Sequence, residues 1–135
     1  KEDVNEALSY LKDLIKKLRG EKRELKDFII WKTLTKPVNE YEIKTPHIEA
    51  AKKLIQKGWK LTVGDKIGYI IVKGPGKLYE KAEPYEFVNI KDVDVEYYIF
   101  HQIIPAASRV LKVFGISEKR LIDLASVSSL IDFSF

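Results

Sequence analysis

Apolar residues in the first twenty positions recur at helical spacing. The spacing alternates between four and three residues, which places one apolar stripe along one face of a helix. The stripe consists of Val4, Leu8, Leu11, Ile15 and Leu18. Asp3 precedes it as an N-cap, and Gly20 follows it as a left-handed stop. The pattern predicts an amphipathic helix followed by a charged turn.

A change of periodicity near residue 28 predicts the first strand. Residues 28–34 are rich in β-branched and aromatic side chains, and Pro37 follows them. Thr45 and Pro46 are a strong start signal for a second helix, which Gly58 ends. The side chains expected to face inward on this helix are Ile48, Ala51, Leu54 and Ile55. Those expected to point away are Lys52, Lys53 and Lys57.

Glycine turns divide the region that follows the second helix. Short strands are expected over residues 59–81, broken at Gly64 and at the Gly74–Gly76 turn, in a hairpin-type pattern. Helices packed around this small set of short strands predict an α+β fold.

Two further helices are expected in the last third of the chain. One begins at Asp92 or Asp94 and runs to Phe114, with a kink at Pro105 because proline removes one backbone hydrogen bond. Ser117 then caps a short helix that extends to about residue 124.

Composition excludes several classes of protein. With no Cys, the chain has no disulfide, no Cys-ligated zinc and no thiol nucleophile. Two histidines are too few for a histidine-only metal site. No apolar run is long enough to span a membrane and no signal-peptide pattern is present, so a cytoplasmic location is expected. Because the chain lacks Met, we expect an excised fragment, a processed product or a trimmed subunit.

Charge is distributed unevenly around the net value of +4. Residues 28–82 carry eleven lysines and five acids, whereas residues 83–135 carry five basic and eight acidic residues. A basic middle beside an acidic end is typical of a face turned toward a polyanion. A lysine-rich solvated surface, as in a heat-adapted protein, gives the same composition.

No catalytic constellation is apparent. The Gly74–Gly76 turn is not a nucleotide-binding loop, because Pro75 removes an amide that such a loop needs. The acids at 92, 94 and 96 are spaced closely enough to hold a metal, but acids also suit the start of a helix. His47 lies in a first helical turn, where it can face an anion or solvent, and His101 is expected to be a packing residue.

A series of blocks between residues 28 and 115 resembles the thumb of family B DNA polymerases, especially the archaeal ones. The blocks occur in the order of that family and at its approximate spacing. They are Thr35-Lys36-Pro37, Glu40-Tyr41, Pro46-His47-Ile48, Ala50-Ala51-Lys52 with Leu54, Gly64 to Ile71, Lys73-Gly74, Asp94, Glu96 to Ile99, Gln102 to Ala107, Arg109-Val110-Leu111 and Phe114-Gly115.

The resemblance implies contacts to the backbone of a primer–template duplex. Thr35 and Lys36 are then expected to meet primer phosphates, with Tyr41 packed nearby and His47 adding a hydrogen bond. The lysines expected to reach the duplex from a hairpin tip are Lys73, Lys77 and Lys81. Tyr97 and Tyr98 are expected to pack the long helix against a palm domain. For Arg109 two interpretations are compatible with the sequence, an exposed ion pair with an acid or a contact to the duplex.

The catalytic parts of that family are absent from this sequence. The metal-binding palm aspartates, the exonuclease and the basic-tyrosine motif do not occur. The resemblance therefore implies a chain that is not catalytic alone, with magnesium bound by the parent polymerase and a palm-bearing chain as partner. An excised piece and a separately encoded small subunit are both compatible with the sequence.

The C-terminal residues resemble the peptide with which polymerases bind a sliding clamp. Leu130 and Phe133 are the expected anchors, assisted by Phe135, although Val127 replaces the usual glutamine. An apolar tail packed on its own domain is the alternative.

Three regions follow from these patterns. Residues 1–27 form a helix and charged turn at a palm–thumb junction, residues 28–124 a thumb-like domain and residues 125–135 a tail. The rival hypotheses are a free-standing nucleic-acid-binding module and a structural subunit that completes another chain. The first should bind duplex DNA alone, and the second should behave poorly without its partner.

Overall fold

A computed structural model describes residues 2–134, and side chains from residue 3 to residue 126. The predicted α+β class is confirmed, because the described residues form helices and a three-stranded antiparallel sheet. The helices are α1 (Glu2–Arg19), α2 (Pro46–Gln56), α3 (Val95–Tyr98), α4 (Ile104–Leu111) and α5 (Glu118–Ser134). The strands are β1 (Ile30–Thr33), β2 (Lys66–Ile71) and β3 (Ala82–Pro84).

The chain divides into two compact units. The sheet unit is Glu24–Asp94, and the helical unit consists of the residues before and after it. The division into residues 1–27, 28–124 and 125–135 stays a prediction.

The helical unit is built around the apolar stripe of α1. Leu11, Ile15 and Leu18 are buried, as the spacing predicts. Two details of the prediction are wrong. Asp3 lies inside the helix rather than before it, and Gly20 does not take a positive φ.

Arg19 connects the end of α1 to two other helices of this unit. Its Nε and Nη2 donate to the two carboxylate oxygens of Glu96 at 3.0 and 2.7 Å, and its Nη1 donates to the carbonyl of Ala125 at 2.9 Å. Such a bidentate guanidinium–carboxylate pair fixes orientation as well as distance. The pair therefore sets how the C-terminal end of α1 meets α3 and α5.

The helix predicted up to Phe114 is interrupted before Pro105. Residues Ile99–Ile103 form a π-helix between α3 and α4, and the amide of Ile104 donates to the carbonyl of Ile99. Proline cannot supply the amide hydrogen bond of a regular turn, and a π-turn is one arrangement that absorbs such a break. The helical rotation ends at Gly115, whose φ of 82° is left-handed. Ser117 caps α5, since its Oγ accepts the amide of Arg120 at 3.2 Å.

The sheet unit has β2 at its centre, with β1 and β3 antiparallel on its two sides. Residues 67–71 of β2 are all buried. The face of α2 that packs in this unit presents Ile48, Ala50, Ala51 and Leu54. Ile55 was expected to face inward, but it is 44% exposed.

Lys53 was also expected to point into solvent, and this prediction is wrong. Its Nζ donates to the carbonyl of Ala82 at 2.9 Å and to that of Glu80 at 3.3 Å, and it pairs with the carboxylate of Glu83. The long aliphatic stem of lysine lets an ammonium at the edge of a helix reach such acceptors. Lys53 therefore ties α2 to the third strand.

Gly68 allows an aromatic pair to lie against the middle of β2. It is opposite Trp31 in the β1–β2 register. A Cβ at this position would stand 2.9 Å from the Trp31 ring and 2.8 Å from the Tyr85 ring. The two rings lie 5.4 Å apart at 60°. Both rings can approach the strand this closely because Gly68 has no side chain.

We expect Gly68→Ala to lower the free energy of unfolding by about 1–3 kcal/mol, because rigid rings must move to admit the methyl group. Urea denaturation of both proteins measures the loss. The same substitution in a Trp31→Ala background is the control, and its cost should be smaller. An equal cost in both backgrounds would contradict a clash with the Trp31 ring and would leave Tyr85 as the obstructing side chain.

Candidate nucleic-acid interface

The loop that follows β1 is closed by the phenol of Tyr41. The amide of Thr35 donates to the Tyr41 oxygen at 3.0 Å, and the Thr35 hydroxyl lies 3.0 Å from the same oxygen. Between them, Pro37 precedes a single 3₁₀ turn, Val38–Glu40. Two hydrogen bonds to one phenol oxygen hold the loop in a defined shape.

Lys36 and His47 are gathered around the same tyrosine. The Lys36 ammonium lies 5.0 Å from the centre of the Tyr41 ring, over its face. The His47 ring meets Tyr41 edge-on, with centroids 6.0 Å apart. The structure thus brings together four of the residues singled out in the sequence, namely Thr35, Lys36, Tyr41 and His47. We call them the Tyr41 cluster.

The surroundings of the cluster lower the pKa of two of its side chains, Tyr41 and His47. The hydrogen bonds from Thr35 hold the pKa of Tyr41 below its usual value, because they stabilise the phenolate. Burial lowers the pKa of His47, and the positive charge of Lys32 lowers it further. Both effects disfavour the protonated form of His47 in the free protein.

The start of α2 adds backbone donors next to His47. Thr45 is the N-cap residue, but its side chain makes no capping hydrogen bond. Its Oγ1 instead lies 3.2 Å from Nδ1 of His47. The first amides of a helix lack intrahelical acceptors and carry the positive end of its dipole. The imidazole is oriented by Thr45 at this positive end.

The three predicted hairpin lysines differ in their surroundings. Lys73 and Lys77 are exposed, on either side of the turn in which Gly74 and Gly76 take positive φ. Lys81 is largely covered, and its Nζ lies 3.6 Å from a carboxylate oxygen of Asp94. Two of the three lysines are therefore open to an external anion, and the third is already paired.

Two basic residues were missed in the sequence. Lys32 influences His47 from β1. The Lys44 ammonium lies 5.6 Å over the ring of Tyr79, which joins the loop before α2 to the turn Leu78–Lys81. Strand alternation is the signal that identifies Lys32, because it places this lysine on the face of β1 opposite to its sequence neighbours. Nothing in the sequence indicates that Lys44 lies close to Tyr79.

Two of the three acids considered for metal binding have other partners. Asp94 pairs with Lys81, and Glu96 pairs with Arg19. Among the side chains that the structure describes, no group of three or more His, Cys, Asp or Glu residues could hold a metal ion.

The side chains on the predicted long helix differ in their exposure to solvent. His101 was expected to pack inside, but it is exposed and stacks on Tyr97 with centroids 5.4 Å apart. Tyr98 is buried and Arg109 is exposed. None of the helices in the described chain is both long enough and apolar enough to cross a membrane.

The side chains proposed for clamp binding, Leu130, Phe133 and Phe135, lie outside the described residues.

Comparison with known proteins identifies the family. The model of DNA polymerase family B matches residues 1–114. DNA polymerase 2 of Aeropyrum pernix is 45% identical over 130 residues, which are 96% of this chain and 16% of that protein. A DNA polymerase of Methanocaldococcus jannaschii is 44% identical over 118 residues, 87% of this chain and 7% of that protein.

A solved structure shares the fold of this region. The family B DNA polymerase from the hyperthermophilic archaeon Pyrobaculum calidifontis matches with a TM-score of 0.71 and 45% identity, over 81% of this chain and 14% of that one. The chain therefore spans about one sixth or less of the length of these relatives. It belongs to DNA polymerase family B.

Proposed function

We propose that this chain is the thumb of a family B DNA polymerase and that it holds the primer–template duplex by its sugar–phosphate backbone. The observation that carries this proposal is the Tyr41 cluster, which combines an ammonium, an oriented imidazole and a hydroxyl beside a helix N-terminus. Cations, hydroxyls and helix N-termini are the groups that proteins use to contact phosphates.

Contact through phosphates suits a polymerase that must hold every sequence equally. Phosphate contacts fix position on the duplex but carry no direct sequence information. The cluster offers no amide side chain and no arginine for reading base edges, and its four residues are all suited to an anion. The stacking of Lys36 over Tyr41 restricts the lysine before DNA arrives, which reduces the entropy lost on binding.

The hairpin lysines supply the second group of proposed contacts. Lys73 and Lys77 are exposed and belong to the basic middle of the chain. Lys81 is proposed to act mainly through its pair with Asp94, which fixes the base of the hairpin. The palm and the catalytic metals are proposed to belong to other parts of the polymerase, because this chain covers only 16% of one relative and 14% of another.

We expect Lys36→Ala and Lys77→Ala each to weaken duplex binding and to reduce the salt dependence of the binding constant by about one released ion. Fluorescence anisotropy on a labelled blunt duplex, titrated at several salt concentrations, measures both effects. Lys81→Ala should reduce the slope less, because Asp94 already offsets its charge.

Lys112→Ala is the matched control for this series. Lys112 is an exposed lysine of the helical unit, so its removal changes the net charge equally at a position outside the sheet unit. A slope reduced equally by all four substitutions would indicate a general charge effect and would contradict the proposed contacts.

Duplex binding should strengthen as pH falls from about 7.5 to 5.5, through the ordinary pKa range of histidine. The free protein holds the pKa of His47 below its usual value, whereas a phosphate favours the protonated imidazole. Duplex binding is therefore coupled to the uptake of one proton. This linkage limits the increase in the binding constant to about tenfold per pH unit. The measurement is the dissociation constant at constant ionic strength across this range.

His47→Gln should remove most of this pH dependence, and His101→Gln should leave it intact because His101 stacks on Tyr97 in the helical unit. An unchanged profile in the His47 variant would exclude His47 from the interface.

A further inference from the structure

Trp31 is a large aromatic side chain that is half exposed and yet firmly positioned. Its exposed fraction is 52%. The ring is held from below by Gly68 and from the side by Tyr85, at a centroid distance of 5.4 Å. Side chains of this size usually bury most of their surface. The sheet unit therefore presents a preformed aromatic surface to solvent.

Polar groups suited to a nucleotide surround this ring. Trp31, Thr33 and Lys66 line a shallow pocket of about 550 Å³. Thr33 and Lys66 are directly opposite in the β1–β2 register, two positions along from the Trp31–Gly68 pair, so all of them share one face of the sheet. No ion pair to Lys66 is present among the described side chains, which leaves its ammonium available to an anion.

We propose that this pocket binds an unpaired nucleotide of single-stranded DNA, with the base stacked on Trp31 and its phosphate at Lys66. An aromatic ring beside a cation is the arrangement by which proteins hold single strands, and every base offers a face for stacking. Thr33 supplies a hydroxyl that can donate to the phosphate or sugar. Bases within a duplex are covered on both faces by their neighbours, so the pocket selects unpaired bases.

This pocket is separate from the Tyr41 cluster. Lys32 lies between Trp31 and Thr33 in sequence, so strand alternation points it to the opposite face, where it influences His47. Lys32, which influences His47, and the proposed single-strand pocket therefore lie on opposite faces of β1. The pocket does not depend on the proposed duplex binding, because none of its residues belongs to the Tyr41 cluster.

Tryptophan fluorescence tests the proposal directly. The chain has two tryptophans, Trp31 and Trp59, and Trp59 is exposed to a similar extent at 45%. In the Trp59→Phe protein, titration with a twelve-residue oligothymidylate should quench the remaining Trp31 emission. In the matched Trp31→Phe protein the emission of Trp59 should hardly change. An abasic strand of equal length and charge should not quench Trp31.

Affinity measurements supply the second test. Trp31→Ala should bind labelled oligothymidylate about tenfold more weakly, the loss typical of one stacked base, and Trp59→Ala should bind it normally. Lys66→Gln should lower the salt dependence of single-strand binding by about 0.7. A far-ultraviolet circular dichroism spectrum equal to that of the parent protein shows that the Trp31→Ala variant is folded. If that variant fails to fold, the quenching experiment and the salt dependence of single-strand binding by Lys66→Gln test the proposal instead.

The proposal is overturned if Trp31 emission is not quenched at saturating strand, or if the abasic strand quenches it equally. These outcomes are distinguishable from failure of the proposed duplex binding. Lys36→Ala should weaken duplex binding and leave the quenching of Trp31 unchanged. Quenching of Trp31 in a protein that does not bind the duplex at all would contradict the proposed function and would still support the single-strand pocket.

Discussion

The pairing of β2 on both of its edges is the constraint on which the sheet unit depends. Tyr69 faces Ile30 of β1 on one side and Pro84 of β3 on the other. The residue after β1 begins the loop that carries the Tyr41 cluster, and the hairpin lysines lie between β2 and β3. Both proposed groups of phosphate contacts are therefore attached to one buried strand. A shift of register in β2 would move them apart and expose the residues that form its core.

The helices were the most predictable part of the fold because their signals are local. The stripe of α1 and the Thr45–Pro46 start of α2 depend only on residues within one or two turns. The π-turn before Pro105 was not predicted, because a proline does not determine how a helix absorbs the missing hydrogen bond. The prediction for Lys53 was wrong because its hydrogen-bond acceptors lie about thirty positions away in the sequence, and helical periodicity carries no information about them.

The candidate site was predictable only through resemblance to a family. Periodicity gives no reason to group Thr35 with Tyr41, and composition shows only that the middle of the chain is basic. The structure adds the cause of their proximity, which is one phenol oxygen that accepts an amide from the end of a strand. It also separates Lys81 from the other hairpin lysines, a distinction that needs the position of Asp94. Trp31 was predicted only as part of a strand, and the close approach at Gly68 shows how its ring is held against the sheet.

The insertion of the sheet unit within the helical unit has a consequence for folding. Arg19 and Glu96 are separated by 77 positions, so their pair closes a long loop in the unfolded chain. The entropy of closing such a loop costs on the order of 4 kcal/mol. Strands β2 and β3 pair across much shorter separations, as between Ile71 and Ala82. Topology thus favours early formation of the hairpin. The two halves of the helical unit are expected to pack together only after the chain between them has become compact.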